Sequence, residues 1–422
     1  MRRIYRLGAW TALTVLALAA GCRGKAETVT PTADRFAADV AFLRQHSEIV
    51  VLDDGSGARA AVAPAYQGRV MTSTTGGPGA PSFGWIGRAA VEAGSRQPHM
   101  NVFGGEDRFW LGPEGGRYAL YFKPGDPFDL DHWQTPEPFD WGAWEIESQS
   151  PAQVTVHKRM ALSNYAGTRF DIDVERTVRL LPAADVARQI GAADDGSLRI
   201  VAFESSNTVA NVGDTAWHRD GGLISIWILG QFTPSPRTTI VIPYAAGTVA
   251  AAGAVVNDKY FGPVPADRLA IGDNALFFKA DGQHRAKIGL SPARALDTAG
   301  SYDPDGGVLT LVQYSRPGDD EAYVNSMWDA AADPYAGDVV NSYNDGPAAP
   351  GKPPLGPFYE LETSSPALAL APGGRYTHIH RTIHVRGPLA GLDRIARSML
   401  KVSLAQVTCA FSSHCAAAQE NP

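Results

Sequence analysis

The chain has 422 residues, and its 44 acidic side chains outnumber 37 basic ones, which gives a formal net charge of −7. No run of lysine or arginine interrupts this acidic balance, so the sequence offers no electrostatic basis for binding nucleic acid. The length allows one large domain or two smaller ones, and the 44 glycines and 30 prolines indicate many turns.

The first segment has the features of a bacterial export signal. Arginines near the N-terminus precede an apolar run, and small residues stand directly before Cys22. This pattern resembles a lipobox and is too short for a spanning helix, so we expect a lipoprotein signal peptide over residues 1–21 and a flexible tether over residues 22–34. A lipidated Cys22 would hold the protein at the bacterial cell envelope, facing the periplasm or at the outer membrane, by the lipid anchor alone. Secretion without a lipid is the alternative.

Helical spacing occurs mainly near the two ends of the chain, in "DRFAADVAFLRQHS" and "PLAGLDRIARSML". Between them, short runs of β-branched and aromatic residues are separated by turn residues, as in "IVVLDDGSGARAAVAP" and the alternating "TRFDIDVERTVRLL". More than a dozen such runs predict an all-β sandwich or barrel. We place this domain at residues 35–405, with a short N-terminal helix, a C-terminal helix and a tail over residues 406–422.

Two cysteines lie in the tail, Cys409 and Cys415. In an oxidising compartment they can close a small loop, so we expect a disulfide between them. Two unpaired thiols are the alternative. A pair of cysteines alone is a poor metal site, because two more ligands are needed.

The stretch "NVFGGEDRFWLGPEGG" combines Glu106, Asp107, Arg108, Trp110 and Glu114 with several glycines. Carboxylates and a guanidinium group supply charge-assisted hydrogen bonds, and an aromatic ring covers the apolar side of a sugar ring. No helix follows the glycines, which excludes a phosphate cradle at a helix N-terminus. The stretch therefore predicts the rim of a sugar site, with an ion pair that closes a hairpin as the alternative.

Two strands near the C-terminus carry candidate acid and base groups. In "PFYELETSS", Glu360 and Glu362 lie on one strand face, where each can raise the pKa of the other. The alternative is a solvated face. In "RYTHIHRTIHV", His378, His380 and His384 share one face of a strand. These histidines can transfer a proton to a sugar, or bind zinc together with a carboxylate. The alternative is that they form a polar face of the sheet towards water.

Two loops add further candidates. The segment "YFKPGDPFDLDHWQTPEPFDWGAWE" contains tryptophans that can extend a glycan platform, and its "DLDH" stretch is a weak calcium pattern. From Asn341, "NSYNDGPAAPGKPPLGP" predicts a long loop from which Tyr343 can reach a ligand.

Three of the stretches together resemble the galactose mutarotase-like superfamily, whose members are large antiparallel β-supersandwiches that handle sugars. The likeness is to its uncharacterised secreted bacterial proteins, a branch of unknown function, rather than to the true aldose 1-epimerases. In "NVFGGEDRFW", Asp107 and Trp110 fit the superfamily pattern after the double glycine, but Phe103 stands where the superfamily has histidine. His99 lies four residues earlier.

The second and third stretches lie further along the chain. In "SSNTVANVGDTAWHRDGGLISIWILGQF", Asn211 fits the superfamily's Asn-x-Gly turn, but the histidine of the following strand is missing. In "GPFYELETSSPALALAPGGRY", Glu362 fits the general base. The resemblance implies that Glu362 is the base and that His378, His380 or His99 gives the proton. The expected substrate-binding residues are His99, Glu106, Asp107, Arg108, Trp110, Glu114, Asn211 and Glu360.

We therefore expect a carbohydrate-binding lipoprotein with acid/base chemistry, epimerisation or mutarotation, at a sugar anomeric centre. Its partner would be a monosaccharide or an oligosaccharide, and the protein a monomer. We expect no cofactor, with a divalent cation such as calcium or zinc left open. The missing superfamily histidines favour a non-catalytic glycan-binding lipoprotein as the alternative, and a glycoside hydrolase or lyase acting on a modified sugar is the third.

Overall fold

The computed structural model describes residues 34–77, 79, 81–193, 196–318 and 321–412. In this part of the chain, three sheets account for most of the regular structure, and the paired strands within them run antiparallel. The predicted all-β fold, with a short helix near each end, is confirmed. Cys22, the predicted signal peptide, nearly all of the tether and Cys415 lie outside the described residues.

The strands are β1 Val50–Asp53, β2 Arg59–Ala63, β3 Arg69–Thr74, β4 Arg108–Gly112, β5 Glu145–Ser150, β6 Gln153–Ser163, β7 Arg169–Leu180, β8 Arg199–Asn211, β9 Ser225–Phe232, β10 Thr239–Pro243, β11 Leu269–Ile271, β12 Ala275–Lys279, β13 Ala286–Leu290, β14 Thr298–Asp303, β15 Val308–Tyr314, β16 Val340–Asn344, β17 Tyr359–Ser364 and β18 Arg375–Arg386. The helices are α1 Arg35–Leu43, α2 Arg88–Ala93, α3 Glu137–Asp140, α4 Ala183–Gln189, α5 Val249–Ala252, α6 Leu389–Met399 and α7 Leu404–Cys409. Two short 3₁₀ helices span Pro64–Tyr66 and Arg219–Gly221.

The strand order defines a large sheet and a smaller one that holds the candidate site. The large sheet has ten strands in the order β11-β12-β10-β14-β15-β18-β8-β7-β6-β5. The site sheet has five strands in the order β13-β16-β17-β9-β4, and β1-β2-β3 form the third sheet. Neighbours that are distant in sequence, such as β4 beside β9, show that the site sheet is assembled from segments spread over residues 108–364.

The site sheet packs one face against the large sheet. On β17, Leu361 and Thr363 are buried on that face, and the Thr363 hydroxyl lies 2.9 Å from a ring nitrogen of both His378 and His380 on β18. Because side chains alternate along a strand, Glu360 and Glu362 point to the opposite face. Two sides of one strand therefore serve different layers of the protein.

Two acids of the "GGEDRFW" stretch lie inside the protein instead of at a sugar-binding rim. Glu106 accepts a hydrogen bond from the Ser73 hydroxyl at 2.8 Å and lies 2.9 Å from His384 Nε2. Asp107 forms an ion pair with Arg176, and both side chains are fully buried. The assignment of Glu106 and Asp107 as substrate-binding residues is therefore wrong, because their charges are used to join strands of different sheets.

The helices near the ends are fixed by caps and buried apolar residues. Asp34 caps α1, and α7 begins with a capping box formed by Ser403 and Gln406. Leu404 and Val407 are buried, so the predicted domain boundary at residue 405 lies inside a packed helix. Cys409, at the end of α7, is disulfide-bonded. In the described ranges, no helix combines the length and apolar character needed to cross a membrane.

Removing one side of the buried Asp107–Arg176 pair tests whether these charges hold the layers together. We expect Arg176→Met to lower the free energy of unfolding by about 3–5 kcal/mol, because Asp107 is left buried without its cation. Urea denaturation followed by tryptophan fluorescence measures the loss. Arg169→Met is the matched control, since its pair with Asp171 lies on the same strand in solvent. Equal losses in both variants would contradict this role.

Candidate functional site

A cavity of about 490 Å³ opens on the face of the site sheet that points away from the large sheet. Its floor is built from alternate residues, because a period of two brings every second side chain to the same face. These residues are Arg108 and Trp110 on β4, Trp227, Leu229 and Gln231 on β9, Arg285 just before β13, Lys287 on β13, Tyr343 on β16 and Glu360 on β17. All five strands of the site sheet therefore contribute to one floor.

Glu360 is the carboxylate that lines this floor. Its Oε1 accepts hydrogen bonds from Arg108 Nη2 at 3.1 Å and from Gln231 Nε2 at 2.7 Å. Burial raises the pKa of Glu360 to about 7; the neighbouring Glu362 adds to the rise, while Arg108 opposes it. Burial thus moves the pKa of this carboxyl group towards neutral pH, the range that suits an acid/base catalyst.

Glu362 lies beneath the floor rather than on its surface. It is fully buried and does not line the cavity, but its Oε2 accepts hydrogen bonds from Lys287 Nζ and Trp227 Nε1, both at 2.9 Å. Burial by itself lowers the pKa of Lys287, but the carboxylates of Glu362 and Glu114 outweigh it, so the pKa is raised. Glu362 thus holds a charged lysine and an indole ring in the floor.

Glu114 and His99 complete the set of titratable groups that the sequence analysis placed here. Glu114 lines the cavity, and burial raises its pKa against the opposing effect of Lys287. His99 Nδ1 lies 2.6 Å from the backbone carbonyl of Trp133. Because a carbonyl only accepts, Nδ1 carries the proton, and Nε2 of the neutral ring is left as a base.

The structure separates His378 and His380 from the cavity. Both are fully buried between the sheets, on the opposite side of β17. Burial lowers the pKa of His378 to about 3, with His380 adding to the effect, and burial lowers the pKa of His380 to about 4. They are neutral and out of reach of a ligand in the cavity, so their assignment as catalytic residues is wrong. The alternative of a water-facing strand face also fails, because this face is buried.

Two further expectations are corrected by the geometry. Asn211 donates to the carbonyls of Thr215 and Leu370 and accepts from the Gly213 N–H, so it builds a turn and is remote from the cavity. The segment from Asn341 was expected to be a loop, but its first residues form β16. No group of three or more His, Cys, Asp or Glu side chains in the described ranges is placed to hold a metal ion.

Several lining residues were missed because they come from segments that showed no motif. Among the aromatic lining residues, Trp110, Trp133 and Tyr343 belong to the predicted candidates, whereas Trp227, Phe261, Trp328 and Phe358 were missed. Arg285 and Lys287 were also missed, although "HRAKIGLS" places two cations two residues apart at the start of an apolar strand. That spacing puts both on one face of the sheet and is a signal that could have identified them.

Comparisons with known proteins give a family and related folds. No curated protein matches the sequence. The structure is similar to a galactose mutarotase-like protein from Lactobacillus casei (11% identity, 80% of this chain and 100% of that chain, TM-score 0.44). It is also similar to Slr1438 from Synechocystis sp. PCC 6803 (15%, 81% and 96%, TM-score 0.47) and to the galactose mutarotase related enzyme of Lactobacillus acidophilus (9%, 80% and 97%, TM-score 0.42).

The family comparison covers most of the chain. Residues 34–411 match the model of DUF6786, a family of unknown function, in agreement with the uncharacterised branch predicted from the sequence. This chain therefore belongs to the DUF6786 family.

Proposed function

We propose that this protein binds a carbohydrate in the cavity of the site sheet. The observation that carries the proposal is the combination of aromatic side chains with charged groups on one floor. Aromatic rings pack against the apolar faces of a sugar ring, and carboxylate, amide and guanidinium groups pair with its hydroxyls. The volume of about 490 Å³ lies in the range of small-molecule sites.

We further propose acid/base chemistry at the anomeric carbon, with roles that differ from those implied by the superfamily. His99 Nε2 takes the proton of the anomeric hydroxyl, and protonated Glu360 gives its proton to the ring oxygen as the bond between that oxygen and the anomeric carbon breaks. The open-chain aldehyde rotates, and reversal of both transfers closes the ring in the other configuration. A Glu360 pKa of about 7 supports this role, because both protonation states are populated at neutral pH.

A tryptophan of the cavity wall tests the binding proposal. We expect Trp328→Ala to weaken binding of D-galactose or D-glucose, whichever binds the parent, by about fivefold, because loss of an aromatic contact costs on the order of 1 kcal/mol. Isothermal titration calorimetry measures the change. Trp141→Ala is the control, since Trp141 is also half-buried but lies outside the cavity. If no monosaccharide or oligosaccharide binds the parent protein, the proposal fails.

The variant Glu360→Gln tests whether the protein catalyses mutarotation. We expect Glu360→Gln to reduce catalysed mutarotation of the bound sugar by about 10²–10⁴-fold, because the amide has no proton to transfer. In the parent protein the rate should fall as the pH rises through about 7, where Glu360 loses its proton. Polarimetry measures the mutarotation rate of the variant and the pH dependence of the parent rate. Glu175→Gln is the control, since Glu175 lies on the exposed face of β7. A parent rate that rises through the same pH range would contradict the acid role of Glu360.

The second candidate function is a glycan-binding protein without catalysis. It is favoured by Phe103, which stands at the position of a superfamily histidine and stacks on Tyr66 with ring centroids 4.0 Å apart, inside the core. It is also favoured by Glu362, whose Oε2 is bound by Lys287 and Trp227. A parent protein that binds sugar and leaves the mutarotation rate at its spontaneous value would support this second function.

Attachment to the cell envelope remains part of the proposal. Cys22 follows the signal-like segment and would carry the lipid. We expect Cys22→Ser to move the protein from the membrane fraction of expressing bacteria to the soluble fraction and to abolish labelling by a palmitate analogue. Labelling that persists in the variant would contradict lipidation at Cys22.

A further inference from the structure

The cationic side chains that line the cavity differ in whether they have an ion-pair partner. Arg108 is paired with Glu360 at 3.1 Å, and Lys287 with Glu362 at 2.9 Å. Arg285 also lines the cavity, yet among the described residues no side chain or carbonyl pairs with its guanidinium group. One cation of the floor therefore has its hydrogen-bonding capacity available for a ligand.

The position of Arg285 is nevertheless fixed. Its guanidinium carbon lies 3.6 Å from the centroid of the Phe261 ring, which also lines the cavity. Stacking holds the flat face of the guanidinium and leaves its edge, which carries the N–H donors, available for a planar anion. Little side-chain freedom remains to be lost when such an anion binds, which favours affinity.

A second cation lines the same cavity and is exposed. Lys352 is exposed on the segment between β16 and β17, lines the same cavity, and makes no ion pair within the part of the chain that the structure describes. Glu114 and Asp131 also line the cavity, but neither forms an ion pair with Arg285 or Lys352. Among the described residues, Arg285 and Lys352 thus have no ion-pair partner, in a protein whose overall charge is negative.

We propose that the sugar bound here carries an anionic substituent, a carboxylate, sulfate or phosphate, which Arg285 binds with support from Lys352. This inference rests on the proposed function and specifies its substrate class. A guanidinium group forms two parallel hydrogen bonds with a planar or tetrahedral oxyanion, and charge-assisted bonds are stronger than those to neutral hydroxyls. Such an anion supplies hydrogen-bond acceptors to a half-buried guanidinium that has none from side chains or carbonyls of the described residues.

Matched pairs of sugars test this inference. Titration calorimetry at low ionic strength compares D-galacturonate with D-galactose, D-glucuronate with D-glucose, and the 6-sulfate and 6-phosphate of galactose with galactose itself. We expect at least one acidic sugar to bind the full-length parent protein tenfold or more tightly than its neutral counterpart. The acidic sugar that binds most tightly identifies the anionic group. Affinity should fall with added salt, because a charge pair is screened.

The variant Arg285→Gln should lose this preference, with the acidic sugar binding at least tenfold more weakly than to the parent. Arg285→Lys keeps the charge and should restore part of the affinity, which a role in folding alone would not explain. Arg397→Gln is the control, since Arg397 pairs with Asp393 on the exposed side of α6. Circular dichroism verifies that each variant is folded.

The outcomes separate this inference from the proposed function. If neutral sugars bind the parent as tightly as every acidic partner, the anionic class is wrong while carbohydrate binding stands. The same holds if Arg285→Gln retains the full preference. If neither neutral nor acidic sugars bind, the proposed function itself is overturned, and the inference with it.

Discussion

The alternation of side chains along β17 is the constraint on which the site depends. One face of this strand gives Thr363 to the packed interior, where it contacts His378 and His380. The other face gives Glu360 to the cavity and Glu362 to the layer just beneath it. A shift of one residue in the pairing of β17 would turn Glu360 and Glu362 to the packed interior and Thr363 to the cavity. The neighbouring strands must therefore hold the register of β17. The site therefore depends on the whole site sheet.

The sequence was sufficient for the fold class and for parts of the site. Alternation of polar and apolar residues predicted β7 of the large sheet, because buried residues alternate along this strand with more exposed ones. The same reasoning missed β4 and β16, which lie in stretches rich in glycine and proline and have both faces buried. Burial of both faces removes the polar and apolar alternation that marks a strand.

The site was predicted less well, since a motif does not determine which layer a side chain enters. In "GGEDRFW", three consecutive charged residues have three different partners: Glu106 contacts His384, Asp107 pairs with Arg176 and Arg108 pairs with Glu360. Only the last pair belongs to the cavity. These partners lie 69 to 278 residues away in the chain, and no local pattern identifies them.

The core position of Phe103 limits which residues can stand at this position of the chain. Phe103 stacks on Tyr66 and lies 5.7 Å from the buried guanidinium group of Arg69, whose pKa burial lowers to about 9. A histidine introduced there would replace a well-packed ring with a polar one beside a cation, and its protonated form would be repelled. The substitution Phe103→His alone would therefore destabilise this part of the core. Tyr66 and Arg69 would have to change with it before an imidazole could be accommodated at this position.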